Sequence, residues 1–180
     1  MKLLYLEQPI NNSGEQIVMY DCQNDFQNPN DNQTLIEETF PSVTESIVGL
    51  IGSIANPDIP GDPPEQGDVL WTHTPGNNRV IAHCMMYDIH GKMDFGRLPK
   101  MFQSIDQKIE ALGQDCFAMT LMGYNWNEVW PILEENVKAQ GVVYIPTNEQ
   151  LVRVLEGLGN VQMFSRNEFA EKLQDSPPES

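Results

Sequence analysis

The sequence is poor in basic residues. It has ten Lys and Arg against 26 Asp and Glu, a formal net charge of −16, and no Lys or Arg occurs between Lys2 and Arg79. Residues 1–70 carry twelve acidic side chains against one Lys, a net charge of −11. Such a surface repels nucleic acid and anionic membranes, so we expect neither as a partner. It suits a basic protein partner, or it simply keeps the protein in solution.

Cysteines and long apolar runs are also scarce. The three cysteines are Cys22, Cys84 and Cys116, and each lies in or beside an apolar run. This pattern predicts reduced, buried thiols in a cytoplasmic protein. No Cys or His pair has the spacing of a metal site, so we expect no metal and no cofactor. No apolar run approaches the roughly 18 residues of a membrane-spanning helix, and Glu7 and Pro9 interrupt the opening run too early for a signal peptide.

The order of the apolar runs predicts an α/β protein. Strands are expected over residues 2–6, 17–21, 68–74, 79–86, 116–122 and 142–145. Helices are expected from about residue 34 to 41, over 43–54, from the N-cap Asp94 to 112, and from the N-cap Asn125 to Gly141. The connection Pro75-Gly76-Asn77-Asn78 predicts an antiparallel hairpin, so the sheet should be mixed.

The 180 residues suit one domain with a short appendage. We expect an α/β domain over residues 1–146, a helical extension over 147–174 and a disordered tail over 175–180. In the extension, Ser165 and Glu168 have the spacing of a capping box, which predicts a final helix.

The segment 17–41 contains the main candidate site, because a buried strand there runs into a polar loop ahead of a helix. Asp21, with Gln23, Asn24 and Asp25, could hold a ribose and orient a water for general-base attack. Alternatively, the loop is an Asx-rich turn that hydrogen-bonds its own backbone, and we favour this interpretation. Cys22 is a poor candidate nucleophile because the acidic chain offers no electropositive setting.

Several stretches in order resemble the macro domain, an ADP-ribose-binding α/β/α module, and especially its small phage and bacterial members described as ADP-ribose-1''-phosphate phosphatases. In residues 17–41, Cys22 falls on the family's cysteine and Phe40-Pro41 on its terminal aromatic–proline pair. Gly67-Asp68-Val69 is similar to the strand that opens the family's hairpin, and Trp126-Asn127-Glu128-Val129 to its last helix. The resemblance covers residues 2–146 and implies a three-layer α/β/α fold with a mixed central sheet.

The departures from the family fall on its ligand loops. The glycine-rich loop aligns with residues 26–31, yet no glycine occurs between Asp21 and Pro41. The ribose-contacting asparagine falls on Gln23, and the second phosphate loop is reduced to three residues. The resemblance therefore implies a remodelled pocket. Its candidate ligand-binding residues are Asp21, Cys22, Gln23, Asn24, Asp25, Gly123, Tyr124 and Asn125.

Two functions are compatible with the sequence. The first is a non-catalytic or weakly active macro-type protein that acts through protein–protein contact, using its acidic surface. The alternative is binding or hydrolysis of ADP-ribose-type nucleotides at the remodelled pocket. The missing glycines and the acidic N-terminal half favour the first.

Overall fold

The computed structural model describes residues 3–6, 8–24, 26, 29–55, 58, 64–76, 78–122, 126–145 and 163–164. The strands are β1 (Leu4–Leu6), β2 (Ile17–Gln23), β3 (Val69–Thr74), β4 (Arg79–Tyr87), β5 (Cys116–Thr120), β6 (Gln140–Tyr144) and β7 (Met163–Phe164). The α-helices are α1 (Asp31–Thr39), α2 (Ser42–Ala55), α3 (Leu98–Ala111) and α4 (Trp126–Asn136). Short 3₁₀ helices span Ile10–Asn12 and Phe95–Arg97.

The strands form one mixed sheet of seven strands in the order β3-β4-β2-β5-β6-β1-β7. β3 and β4 pair antiparallel, which confirms the predicted hairpin, and the other neighbours pair parallel. Because β2 lies between β4 and β5, the loop that follows it leaves from the interior of the sheet's carboxyl edge. Ligands of open α/β sheets bind at this edge.

Helices cover both faces of the sheet, which confirms the three-layer α/β/α architecture. On one face, α3 and α4 bury large apolar side chains, among them Phe102, Ile105, Val129 and Leu133. On the other face, α1 and α2 bury Ile36, Val43 and Ile47 against alternate residues of the same strands. Strand residues point to the two faces in turn, so β2 contributes Met19 to the first core and Tyr20 to the second.

Element boundaries differ from the sequence prediction around the candidate site. β2 extends to Gln23, two residues past the expected end, because its parallel pairing with β4 continues to Tyr87. α1 begins at Asp31, where we expected a start near Thr34. The cause is Asn30, whose side-chain oxygen accepts a hydrogen bond from the Gln33 amide at 2.8 Å and so caps the helix earlier.

Gly141 does not close a helix, so this part of the prediction was wrong. α4 ends at Asn136, and Gly141 lies inside β6. A Cβ at this position would come within 2.6 Å of the Leu3 side chain and 2.8 Å of the Phe117 ring. The glycine therefore leaves room for the Leu3 and Phe117 side chains, which would have to shift if a larger residue took its place.

The C-terminal segment contributes β7 to the sheet, where Met163 pairs with Tyr5 and Phe164 with Leu6. The helices expected in the extension and the tail over 175–180 lie outside the described residues. Within the described ranges, no helix combines the length and apolar character that crossing a bilayer demands.

Candidate functional site at the carboxyl edge of the sheet

Asp21 lies near the end of β2 and is 2% exposed, so its carboxyl group depends on the protein for hydrogen bonds. Tyr87, at the end of β4, donates its hydroxyl to Oδ2 at 2.6 Å. Asn32 of α1 donates its amide to Oδ1 at 2.7 Å and to the Leu121 carbonyl, just after β5, at 2.7 Å. Asn30 donates to the Asp21 carbonyl at 2.9 Å. The Asp21 cluster therefore ties the ends of three neighbouring strands to the start of α1.

The N-terminus of α1 points toward the same edge, and two side chains at the start of the helix partly compensate its unpaired amides and its positive dipole. Asn30 occupies the Gln33 amide, and Asp31 places a carboxylate in the first turn. A free helix N-terminus attracts anions through its unpaired amides and its dipole. Here a nearby carboxylate opposes any added negative charge, so this terminus is poorly suited to a phosphate group.

Phe26 anchors the loop that follows β2. Its φ angle is +59°, in the left-handed region that costs a non-glycine residue about 1–2 kcal/mol. Its ring is nevertheless 2% exposed and lies edge-on to the His83 ring, with 5.9 Å between the ring centroids. Phe26 therefore takes a backbone conformation typical of glycine although its ring is buried.

His83 lies beneath this loop in the core on the α1–α2 side. Tyr20 Oη is 2.5 Å from its Nδ1, and Thr72 Oγ1 is 2.8 Å from its Nε2. Burial lowers the pKa of His83 to about 3, so the imidazole is neutral, with one donor and one acceptor nitrogen. One hydroxyl must therefore accept while the other donates. Because the ring is 0% exposed, it cannot act as a base on a bound ligand.

No protein-family model matches the chain, and no curated protein matches it. Several solved structures, however, match the chain. A macrodomain protein from Streptomyces coelicolor aligns with a TM-score of 0.65 and 10% identity over 80% of this chain and 99% of that one. The macrodomain of Thermus aquaticus DarG aligns with a TM-score of 0.61 and 12% identity over 81% and 99%. This chain has the macrodomain fold.

The likeness extends to a variant of the Oceanobacillus iheyensis macrodomain that was solved with ADPR, at a TM-score of 0.57 and 12% identity. That alignment covers 94% of this chain and 90% of the other. Such identities establish a shared fold and leave the ligand open. The macro-type architecture implied by the sequence resemblance is thus confirmed.

Gln23 and Asn24 lie at the end of β2, at the carboxyl edge of the sheet. The Asn24 backbone amide donates to the Tyr87 carbonyl at 3.1 Å, and its side-chain amide donates to the Pro64 carbonyl at 3.4 Å. The side-chain oxygens of Gln23 and Asn24 are buried and have no hydrogen-bond partner among the described residues. Asp25, Gly123, Tyr124 and Asn125, the other candidate ligand residues, lie outside the described ranges.

Cys22 is placed in the core and not at the edge. Its thiol is fully buried, 3.4 Å from the Cys84 carbonyl and 3.6 Å from the Met85 sulfur. Burial raises the pKa of this thiol well above its usual value, so the sulfur stays protonated. A ligand at the edge could therefore contact only the backbone atoms of Cys22 and not its thiol.

Asp88 and Trp126 also have structural roles. Asp88, beside His90, accepts hydrogen bonds from the Lys92 and His90 backbone amides, and these lower the pKa of its carboxyl group. Trp126 is buried and donates its indole N–H to the Tyr5 hydroxyl at 3.0 Å. In the described part of the chain, no three acidic, His or Cys side chains gather as ligands of a metal ion would.

Sequence reasoning missed the residues that organise this edge. Asn30 was recognisable, because it lies three residues before Gln33, the spacing of a capping box. Phe26 offered a weaker signal as an aromatic residue in an otherwise polar loop. Tyr87 and Asn32 offered none, because their contact with Asp21 joins positions far apart in the chain or on another element.

Proposed function

We propose that this protein is a non-catalytic binding protein built on the macrodomain fold, which acts in the cytoplasm by contacting a basic protein partner. The observation that carries the proposal is the Asp21 cluster. Its carboxylate is buried and accepts hydrogen bonds from Tyr87 and Asn32, which supports a structural role for Asp21 over that of a general base.

The chemistry of the edge supports a role other than binding a diphosphate. The start of α1 is capped by Asn30 and flanked by the Asp31 carboxylate. The loop after β2 buries Phe26, where a close approach to a ligand would require a small residue. Both features disfavour an anionic nucleotide. The cytoplasmic location is supported by three cysteines that are all free.

The charge distribution supports a basic partner. The outer surface of α1 and α2 carries four carboxylates and no basic side chain, and none of these carboxylates forms an ion pair within the described ranges. They are Asp31, Glu37, Glu38 and Glu45. Complementary charge accelerates association and rejects partners of like charge. Association should therefore weaken as the salt concentration rises.

Thermal unfolding with ADP-ribose tests the proposal directly. A ligand at a hundred times its Kd adds about 2.7 kcal/mol of stability, a shift of roughly 5–10 °C for a domain of this size. We expect no shift at millimolar ADP-ribose. Tyr87→Phe and Asn32→Ala, which loosen the Asp21 cluster, should not create one. A saturable shift in the unchanged protein would contradict the proposal.

ADP-ribose-type binding, or hydrolysis of such a nucleotide, is the second candidate. It is favoured by the fold shared with macrodomains, one of them solved with ADPR, and by the unpartnered oxygens of Gln23 and Asn24. If the melting temperature does rise with ADP-ribose, Gln23→Ala and Asn24→Ala should each reduce the shift. A shift that both variants retain in full would place the nucleotide elsewhere.

A further inference from the structure

The side-chain oxygens of Gln23 and Asn24 are buried and find no hydrogen-bond partner in the described part of the chain. Buried acceptors in folded proteins are nearly always paired, so an unpaired one indicates a missing donor. The orientation of the Asn24 amide is set by its contacts, because its nitrogen donates to the Pro64 carbonyl at 3.4 Å and a reversed amide would place two oxygens together. Asn24 therefore offers a free acceptor, and Gln23 offers one from the preceding position.

These two residues lie where three segments of the chain meet. The Asn24 backbone amide donates to the Tyr87 carbonyl at 3.1 Å, which holds the chain after β2 against the end of β4. Gln66, from the third segment, donates its side-chain amide to the Met86 and Lys92 carbonyls, both at 2.9 Å. We call the junction of residues 23–24, 64–66 and 86–92 the edge site. Its backbone is held by hydrogen bonds between all three segments.

Gly91 leaves the edge site open on one side. It is exposed, and a Cβ built on it would lie 3.8 Å from the Gln23 side-chain nitrogen and within 4 Å of no other atom. Any other residue at this position would stand over the Gln23 amide. The missing side chain therefore allows a group from outside to approach Gln23.

The charge around the edge site is negative on balance. Charged side chains of the described residues lie on the three segments or contact them. The carboxylates are Asp21, Glu65, Asp68 and Asp88, and the cations are Lys92 and Arg97. A cation is therefore attracted, whereas a phosphate group is repelled and brings only further acceptors.

A guanidinium group matches both the free acceptors and the charge. It carries five N–H donors in a planar fork, it has no acceptor, and it is always positively charged. A sugar hydroxyl is neutral and brings acceptor lone pairs together with its donor. The chemistry of the site therefore selects a group that only donates.

We propose that the edge site binds the guanidinium group of an arginine side chain of the basic partner, with the side-chain oxygens of Gln23 and Asn24 as acceptors. The inference rests on the proposed function, since it names the chemical group by which a basic partner is held. It adds hydrogen-bond specificity at one place, which the carboxylates of α1 and α2 alone do not give.

The probe is a glycine–arginine–glycine peptide capped at both ends, titrated into the ¹⁵N-labelled 180-residue protein. We expect saturable shift changes at the side-chain amides of Gln23 and Asn24 and at the backbone amide of Gly91. The same peptide with citrulline keeps the shape but carries a neutral urea group. It should bind about tenfold more weakly, because a hydrogen bond to a charged group is the stronger one.

Variants at Gln23 separate binding from structure. Gln23→Leu removes an acceptor and should weaken binding of the arginine peptide about tenfold, the loss of one hydrogen bond to a charged group. Gln23→Glu keeps the shape, adds a negative charge and should tighten binding to a similar degree. A purely structural role would not give opposite responses at one position, and circular dichroism melts would verify that both variants fold. Gln103→Leu, at an exposed glutamine on α3, is the matched control and should leave the affinity unchanged.

Several results would overturn this inference, and they separate it from the broader proposal. No saturable shift at Gln23 and Asn24 would refute the site but leave a basic partner bound to another acidic surface. Equal affinity for the citrulline peptide, or equal losses in Gln23→Leu and Gln23→Glu, would refute a guanidinium ligand. Free L-arginine that binds more tightly than the capped peptide would assign the site to a small guanidino molecule. ADP-ribose that displaces the peptide would contradict the proposed function as well.

Discussion

The two helical layers of this protein are built differently, although they share one sheet. The α3–α4 layer encloses a core of large apolar side chains such as Phe102, Phe117 and Leu133. The α1–α2 layer buries polar groups among its apolar ones, including Gln33, His83 and Thr120. Outside, α3 carries both signs of charge, whereas α1 and α2 carry only carboxylates. The comparison predicts that the α3–α4 core contributes more to stability than the more polar α1–α2 core.

Removing the Phe102 ring should have the largest effect, because it leaves a cavity in the apolar core on the α3–α4 side. Phe102→Ala should destabilise the protein by about 3–5 kcal/mol. Val48→Ala, an exposed truncation on the other layer, should change stability by less than about 0.5 kcal/mol. Chemical unfolding measures both. A Phe102→Ala cost below that of Val48→Ala would reverse the proposed division between the layers.

His83 should make the α1–α2 layer sensitive to acid. Because burial lowers the pKa of His83 to about 3, the unfolded chain takes up a proton below pH 6.5 and the folded chain does not. The contribution of neutral His83 to the free energy of unfolding should therefore be fully present above pH 6.5. Below pH 6.5 it should be lost at about 1.4 kcal/mol per pH unit, a total loss of about 2.7 kcal/mol at pH 4.5.

The measurement is the difference in unfolding free energy between the unchanged protein and His83→Gln as a function of pH, which cancels the contribution of the many carboxylates. Parallel pH curves for the unchanged protein and His83→Gln would show that His83 is not the source.

Tyr87→Phe should have a moderate effect, since it removes one hydroxyl from the buried Asp21 carboxylate. A hydrogen bond to a charged group contributes about 1.5–3 kcal/mol, and we expect a loss in this range. Tyr144→Phe is the matched control, because its hydroxyl donates to the half-exposed Glu15 at 2.9 Å. Its cost should be about 1 kcal/mol or less. Equal costs would mean that burial does not strengthen the Asp21 cluster.

Thr120→Val should have the smallest effect and the opposite sign. Thr120 is 1% exposed, and its hydroxyl has no hydrogen-bond partner among the described residues. An apolar replacement of the same shape should therefore stabilise the protein by up to about 1 kcal/mol. Thr72→Val, which removes a hydroxyl from His83, should instead cost about 1–3 kcal/mol. A loss at Thr120 as large as that at Thr72 would reveal a partner for its hydroxyl.

The fold was largely predictable from the sequence, because hydrophobic periodicity and the residues of turns and helix caps are local signals. The hairpin around Pro75-Gly76 and the apolar face of α3 lie within single short windows. Asp94, expected to cap α3, instead caps the 3₁₀ helix Phe95–Arg97, and α3 begins at Leu98. Gly141 shows the limit of such windows. Its role depends on Leu3 and Phe117, and neither is close to it in the chain.

The site was less predictable for the same reason. The position of the edge followed from a strand that ends in a polar loop, but its chemistry depends on which side chains meet there. The carboxylate of Asp21 could be read as a base or as part of a turn, and only its distances to Tyr87 and Asn32 show that it accepts from both. Whether Gln23 and Asn24 contact a ligand stays a prediction.

The two-residue strand β7 has a practical consequence for anyone who shortens this chain. β7 covers β1, whose sequence Leu4-Tyr5-Leu6 is apolar, at one end of the sheet. A protein cut after residue 146 would expose that row of backbone amides and carbonyls as an open strand edge, which is a template for pairing with other molecules. We expect such a fragment to aggregate as its concentration rises, whereas the 180-residue chain should not. Light scattering of the two side by side would show the difference.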